Sequence, residues 1–256
     1  MKIALGQMDV RAGRPAENWR HAERWAQESA TQGAQLLLFP ELWLSGFDLS
    51  HAADHARAWE AGDRARFAVL AQETGLYLGG SVIAEDDKGR PANTAVLFAP
   101  QGDLVASYRK VHLFAPMGET RFLAAGEATP SFDLPWGRTA LAVCYDLRFP
   151  ELFRRYADAG VAVVLLTAQW PIPRIEHWRI LLRARAIENQ CLIAACNRAG
   201  EDEDGTVFGG HSAVIAPHGQ VLVEAQETPD LLLVDVDLEE IGRIRREFPV
   251  LADRRL

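Results

Sequence analysis

Cysteine is scarce in this chain. Three cysteines among 256 residues cannot all pair with one another, and their spacing matches neither CxxC nor a disulfide framework, so a reducing setting such as the cytoplasm is the simpler expectation. Excess positive charge is missing too: 27 Lys and Arg stand against 35 Asp and Glu, a net charge of −8, which argues against a general nucleic-acid binder. No apolar run approaches the roughly 20 residues of a membrane span, so no membrane partner is expected. The opening MKIALGQMDVRAG has its apolar residues interrupted by Gln7 and Asp9 and reads as a first strand instead of a signal peptide. No Pro/Gly/Ser-rich linker or low-complexity run divides residues 1–256, which read as one domain with the length to bury a large core. Walker, GxGxxG and GxSxG patterns are absent, and nucleotide-dependent and serine-hydrolase chemistries find no support.

What is present begins with Thr139 to Arg154, TALAVCYDLRFPELFR. Ala140 to Val143 have the length and bulk of a buried strand, and Pro150 suits the first turn of a helix, where its missing N–H is no loss. Cys144 therefore stands on a strand-to-helix turn, where the positive end of the following helix is expected to help its thiolate form. An inert, buried thiol is the alternative for any isolated cysteine. Two more segments have the same design. In Gln35 to Phe47, QLLLFPELWLSGF, a strand-like apolar run stops at Pro40 and delivers Glu41, flanked by Leu42 and Trp43. Poor solvation raises the pKa of such a carboxylic acid towards the range useful for general acid–base work. In Ser107 to Phe114, SYRKVHLF, Lys110 closes a strand that begins near Asp103. Taken singly, Glu41 reads equally as a helix cap and Lys110 as a solvated surface residue. Together they place an acid, an amine and a thiol at the carboxyl ends of strands, where α/β sheets bind ligands.

Alternating elements suit a layered α/β protein. Strands are predicted at Lys2 to Met8, Tyr77 to Ala84, Asn93 to Phe98, Leu104 to Tyr108, Val161 to Thr167 and Cys191 to Cys196, besides those that end at Glu41 and Cys144. Helices are predicted near Pro15 to Thr31, Arg64 to Thr74, Glu151 to Ala159 and Ile175 to Asn189. Four or five shorter strands should close the fold, and the mixed connections imply two packed sheets with helices outside. Cys191 and Cys196 lie in an apolar run and read as packing residues. His51 and His55 have the i, i+4 spacing of a helical metal pair, but Ala52 stands where a zinc-protease helix has Glu, so surface histidines are the better reading and no metal site is expected. Asp146, Arg148 and Glu151 either bind substrate or fix the turn by hydrogen bonds, the structural role being slightly favoured; Arg185 and Glu188 look like scaffold at a possible subunit contact.

At this point the chain resembles the nitrilase-like carbon–nitrogen hydrolases, whose members use a Glu-Lys-Cys triad in this order. The resemblance is carried by KIALGQMDV, FPELWLSGF, YRKVHLF, CYDLRFPELFR and HWRILLRARAIENQCLIAACNRAG, and spans nearly the whole chain. It implies an α/β fold, the four-layer α-β-β-α sandwich of that superfamily, usually assembled as a homodimer. It also implies Glu41 as general base, Lys110 as oxyanion stabiliser and Cys144 as nucleophile, with Glu119 the best match for a second glutamate and Glu127 a weaker competitor. The chemistry agrees: a free thiol is only a few per cent ionised at neutral pH, so a base must take its proton, and charge gathering on the carbonyl oxygen needs donors such as Lys110 and the Tyr145 backbone N–H. No metal or organic cofactor is required. CYDLRFPE, QWP and CNR look most like omega-amidases, which hydrolyse the terminal amide of 2-oxo-dicarboxylic monoamides such as 2-oxoglutaramate. A small-molecule amide and water would then be the partners, with Gln169, Trp170 and Pro171 lining the pocket and Arg148 a candidate for the substrate carboxylate. An N-carbamoyl or N-acyl amide hydrolase is the enzymatic alternative, and a catalytically silent binding or scaffold relative the non-enzymatic one.

Overall fold

Strand alternation decides the layering. In β1 (Lys2–Gln7) and β2 (Leu36–Leu38), Ile3, Leu5, Leu36 and Leu38 turn to one core, while Ala4 and Leu37 turn to another, because successive side chains of a strand face opposite sides of the sheet. The computed structural model describes residues 1–255. α1 (Pro15–Thr31) begins with Pro15 in its first turn and buries Trp19, Ala22, Trp25 and Ala26 against the first sheet. α2 (Ala52–Ala58) and α3 (Arg64–Thr74) follow β2, and Gly75, at φ +67°, ends α3 in the left-handed conformation that glycine adopts without strain. β3 (Tyr77–Glu85), β4 (Pro91–Phe98) and β5 (Leu104–Arg109) form an antiparallel meander at the far edge.

The second half repeats the plan. After the short α4 (Glu119–Phe122) come β6 (Phe132–Leu134), β7 (Gly137–Val143), α5 (Pro150–Asp158), β8 (Val163–Ala168), α6 (Ile175–Asn189) and β9 (Leu192–Asn197). The hairpin β10 (Ala199–Glu201) and β11 (Val207–Gly209) stands apart, before β12 (Ala213–Ile215), β13 (Val221–Glu224), β14 (Asp230–Asp235) and α7 (Glu239–Glu247). One sheet runs β14-β1-β2-β3-β4-β5 and the other β13-β12-β9-β8-β7-β6. The inner strands β1, β2 and β3, and likewise β7, β8 and β9, are parallel and joined through helices, as parallel neighbours require. The two sheets share one core, in which Ile3, Leu38 and Leu97 meet Leu141, Leu165 and Ala194. Outside it lie α1 and α3 on one sheet and α5 and α6 on the other, giving the expected α-β-β-α sandwich. No described helix is long and apolar enough to cross a membrane.

Three local features were not assigned from the sequence. Residues Cys144–Arg148 form a 3-10 turn, which separates Cys144 from α5, and that helix starts at Pro150 as expected. α2, joined to α3 by a π-helical turn at Trp59–Asp63, falls where no element was assigned. The fold closes on α7 in addition to short strands; with Ile241 as its one buried residue in a charge-rich segment, it carries little apolar periodicity. Its Arg245 donates to the carbonyls of Gln190 and Val161.

Phe67 centres the outer aromatic cluster. It is fully buried, with ring centroids 6.1 Å from Trp19, 6.2 Å from Phe39, 5.3 Å from Trp43 and 5.5 Å from Phe98. Phe67→Ala is expected to lower unfolding free energy by about 3–5 kcal/mol, read from the denaturation midpoint.

Candidate active site

Four strand ends meet at one place. After β2 the chain turns through Pro40 and Glu41, and that turn is fastened to β3: Phe39 N donates to Gly79 O at 2.8 Å, Trp43 N to Ser81 O at 3.1 Å and Leu42 N to Ser81 Oγ at 2.9 Å. Leu42 sits at φ +43°, a left-handed conformation costly for a branched side chain, which these bonds enforce. Gly80 makes room for the turn, since a Cβ there would lie 2.7 Å from the Trp43 ring. Glu41 is thereby held at zero exposure.

Lys110 follows β5 directly, its N–H on Asn93 O and its carbonyl receiving Gly126 N, each at 2.9 Å. Its ammonium lies 2.7 Å from Glu41 Oε1 and 2.7 Å from Glu119 Oε2, with all three side chains sealed from solvent. Glu119 opens α4 and also accepts the Phe114 N–H at 2.6 Å. Asn93, absent from the sequence-based set, donates Nδ2 to Glu41 Oε1 at 2.8 Å and to Glu119 Oε1 at 3.1 Å. Its signal was a polar residue inside a strand buried on both faces, which must find partners. Glu127 is exposed, so Glu119 is the glutamate beside Lys110.

Cys144 closes β7 with φ +45°, and the turn around it hangs on Asp146. That fully buried carboxylate accepts the Val143 N–H at 3.0 Å, the Tyr108 hydroxyl at 2.8 Å and the His112 N–H at 3.1 Å, with His112 Nδ1 at 2.7 Å. Residues on either side of Lys110 and of Cys144 are therefore tied to one group, which establishes the structural reading of Asp146.

The electrostatics follow from burial. Desolvation raises the pKa of Glu41, and although Lys110 opposes this, Glu119 reinforces it. Burial pulls Lys110 down, but Glu41 and Glu119 more than offset that, so the ammonium keeps its proton well above the ordinary lysine range. Both partners of one ion pair thus shift upward, because Lys110 has two carboxylates to serve and Glu41 only one cation. The Cys144 thiol is pushed well above its usual value by burial and then by the Glu41 carboxylate, with Lys110 only partly compensating. The expectation that a helix end would favour the thiolate is overturned here, as a buried thiol beside a negative charge outweighs a distant N-terminus.

A narrow cavity of about 20 Å³ opens onto Cys144 and Lys110, walled by Phe47, Phe114, Met117, Tyr145 and Trp170. Arg148 reaches it, its guanidinium 4.6 Å from the Trp170 ring centre and 3.3 Å from His177 Nδ1. Gln169 lines the cavity too, but its side chain is committed elsewhere, with Nε2 on Glu41 O at 2.6 Å and Oε1 receiving Arg198 Nη1 at 2.8 Å. Trp170 is buried, its indole N–H on Arg174 O at 2.8 Å. Arg174 itself, which carries no sequence pattern, lines the same cavity. Glu151 is exposed at the start of α5. Cys191 and Cys196 are packed in the core, and Arg185 grips Leu147 O and Glu188. His51 and His55 share Asp48, each at 2.8 Å, and among the described residues no group of three or more His, Cys, Asp or Glu is arranged for a metal.

Comparison with known proteins places this arrangement. A family model described as carbon–nitrogen hydrolase matches residues 2–246. The chain is 36% identical over 253 residues to the 2-oxoglutaramate amidase of Bacillus subtilis (strain 168), covering 99% of this chain and 97% of that protein. It is 32% identical over 262 residues to the omega-amidase NIT2 of Homo sapiens, covering 99% and 95%. Among solved structures, a Glu-to-Gln mutant of the amidase from Nesterenkonia sp. AN1, with the acetamide moiety of fluoroacetamide added covalently at its active-site cysteine, aligns with a TM-score of 0.89 at 34% identity, covering 100% and 94%.

The ion cluster makes a prediction independent of any activity. Lys110→Met strands two buried carboxylates side by side and should lower stability by about 3–5 kcal/mol, with denaturant melts as the readout; adding Glu119→Gln should recover part of that loss.

Proposed function

The chain belongs to the carbon–nitrogen hydrolase family, and we propose that within it the protein is an omega-amidase, cleaving the terminal amide of a small 2-oxo-dicarboxylic acid monoamide to the oxo acid and ammonia. The observation that carries this reading is a sealed acid–amine–acid cluster beneath a cysteine, under a cavity that also takes two guanidinium groups with no carboxylate partner among the described residues. Such unpaired cations beside a reactive thiol suit a substrate whose far end is anionic.

The proposed mechanism starts from Glu41. Its Oε1 is occupied by Lys110 and Asn93, while Oε2 receives one donor, the Gln169 N–H at 2.9 Å. Oε2 therefore has capacity to take the thiol proton as sulfur attacks the amide carbon. Charge moving onto the carbonyl oxygen is met by Lys110 and by the Tyr145 N–H, free because the first N–H groups of a helical turn have no partner within it. Glu41 returns the proton to the amine, the C–N bond breaks and ammonia leaves a thioester. Water then gives its proton to Glu41 and attacks the acyl carbon; collapse expels sulfur, which recovers that proton. Glu119 keeps Lys110 fixed while Glu41 changes charge. Positioned proton transfer of this kind contributes on the order of 10² to 10⁴ in rate.

At the other end we assign the substrate carboxylate to Arg148 and Arg174. Burial and the neighbouring Arg174 charge lower the pKa of Arg148, a repulsion that a bound anion relieves. Two further readings accompany the proposal. Three free, buried cysteines support a cytoplasmic setting. The outer face of α6, where Ile180 and Ile187 are 62% and 49% exposed beside a groove of about 430 Å³, supports a homodimer paired through that face, which light scattering tests.

Ammonia release from 2-oxoglutaramate, glutamine, a carbamoyl amino acid and a simple nitrile tests the substrate, with the oxo-acid amide expected to be hydrolysed fastest. Cys144→Ala should fold and abolish turnover. Arg148→Leu and Arg174→Leu should each raise KM for 2-oxoglutaramate by about 10- to 100-fold, the worth of a charge-assisted hydrogen bond, while leaving a small neutral amide unaffected; equal effects on both substrates would remove the carboxylate assignment. Because Glu41 is raised and must be ionised to accept a proton, kcat/KM should fall on acidification with a midpoint above the ordinary glutamate value of about 4.3.

A further inference from the structure

The fully buried Arg198 does not touch the cavity, and nothing in the mechanism above uses it. Its surroundings form a chain leading to the base. Nη1 donates to Gln169 Oε1 at 2.8 Å; Gln169 in turn donates Nε2 to the Glu41 carbonyl at 2.6 Å and its backbone N–H to Glu41 Oε2 at 2.9 Å. Gln169 thus holds Glu41 at both its main chain and its carboxylate. Resting on the reading of Glu41 as base, we propose that Arg198 is a positioning residue which, through Gln169, sets the angle and basicity of the Glu41 oxygen that receives the thiol proton.

The argument turns on the two ends of an amide. A Gln side chain can be rotated to present oxygen or nitrogen, and rotation here would press Oε1 against the Glu41 carbonyl. A guanidinium has donors only, so Arg198 admits the oxygen end and forces Nε2 towards Glu41. Arg198 is itself held rigidly: Nη2 reaches Asp202 at 2.6 Å, Asp9 lies 4.0 Å away, and the guanidinium stacks 4.1 Å from the Phe208 ring centre. The backbone makes the same connection, with Ala168 O accepting Arg198 N at 2.9 Å and Glu41 N at 3.4 Å, and Asn197 Oδ1 accepting Arg198 N at 2.9 Å and Trp170 N at 2.6 Å. Segment 168–170 is therefore clamped between the base and Arg198. The acidic partners Asp202 and Asp9 neutralise the guanidinium on the side away from Glu41, which leaves Arg198 to act on the base by geometry more than by its field.

Steady-state kinetics and pH profiles of Arg198→Met, Arg198→Lys, Gln169→Leu and the Arg198→Met/Gln169→Leu double variant test this. Misplacing a catalytic group by about 1 Å can cost 10²-fold, so Arg198→Met should lower kcat by about 10- to 100-fold with KM nearly unchanged. Weakening the N–H bond to the carboxylate disfavours its charged form, so the acid limb of kcat/KM should also move to higher pH. Gln169→Leu should reproduce both changes, and the double variant should be no worse than the poorer single one, since the two act in series. A folded Arg198→Met with the original kcat and acid limb, or losses that multiply in the double variant, would overturn the proposal. Should Arg198→Met not fold, Arg198→Lys decides: it keeps the charge facing Asp202 but lacks the fork, and is expected to lose at least about fivefold in kcat with the same shift of the limb, where unchanged values for both would overturn it. Glu41→Gln measured alongside separates the two readings: full turnover there removes Glu41 as base, whereas an inactive Glu41→Gln with unaffected Arg198 variants removes only the role of Arg198.

Discussion

One ammonium shared by two buried carboxylates constrains the whole site. A carboxylate sealed from water is tolerated only with a partner charge and hydrogen bonds, and Glu41 and Glu119 both obtain theirs from Lys110. That requirement joins the turn after β2, the end of β5, the Asn93 position of β4 and the loop into α4, four segments far apart in sequence. None can shift without uncovering a charge. The cluster therefore serves as a fold constraint and, in the proposed mechanism, as a proton-transfer device whose parts do not reorganise during reaction.

The thiol is placed by a second constraint. Cys144 adopts a left-handed backbone at a site where β-strand geometry would turn its side chain into the core, and the four hydrogen bonds converging on Asp146 hold the turn in that state. Strain of this kind persists where surrounding contacts over-determine it. Burial then raises the thiol, so the sulfur rests protonated beside an acid whose own pKa burial has also raised.

Much of this was legible because Glu41, Lys110 and Cys144 each stand at the end of a strand-like run: Glu41 after LLLFP, Lys110 after LVASYR, Cys144 after ALAV. Buried strands of parallel sheets read as continuous hydrophobic stretches, and a polar residue at their end stands out. Helix α1 was found for a related reason: Pro15 opens it, and Trp19, Ala22, Trp25 and Ala26 recur at helical spacing. Asn93, Arg174 and Arg198 were not found. Asn93 and Arg198 stand in or beside strands and acquire meaning only through partners 52 and 29 residues distant, and Arg174 lies in a short 3-10 turn without periodicity. The direction of the thiol shift was misjudged because a helix start is legible near Cys144, whereas the full burial that dominates the shift is not.

The central claim is that Cys144 rests as a thiol and is ionised only as it reacts, by Glu41. Ultraviolet thiolate absorbance, taken as the difference between the protein and its Cys144→Ala variant across a pH titration, tests it most directly. The account predicts no thiolate signal through neutrality, with the band emerging only above the value of about 8.5 for a free cysteine. A thiolate already present at neutral pH would contradict it.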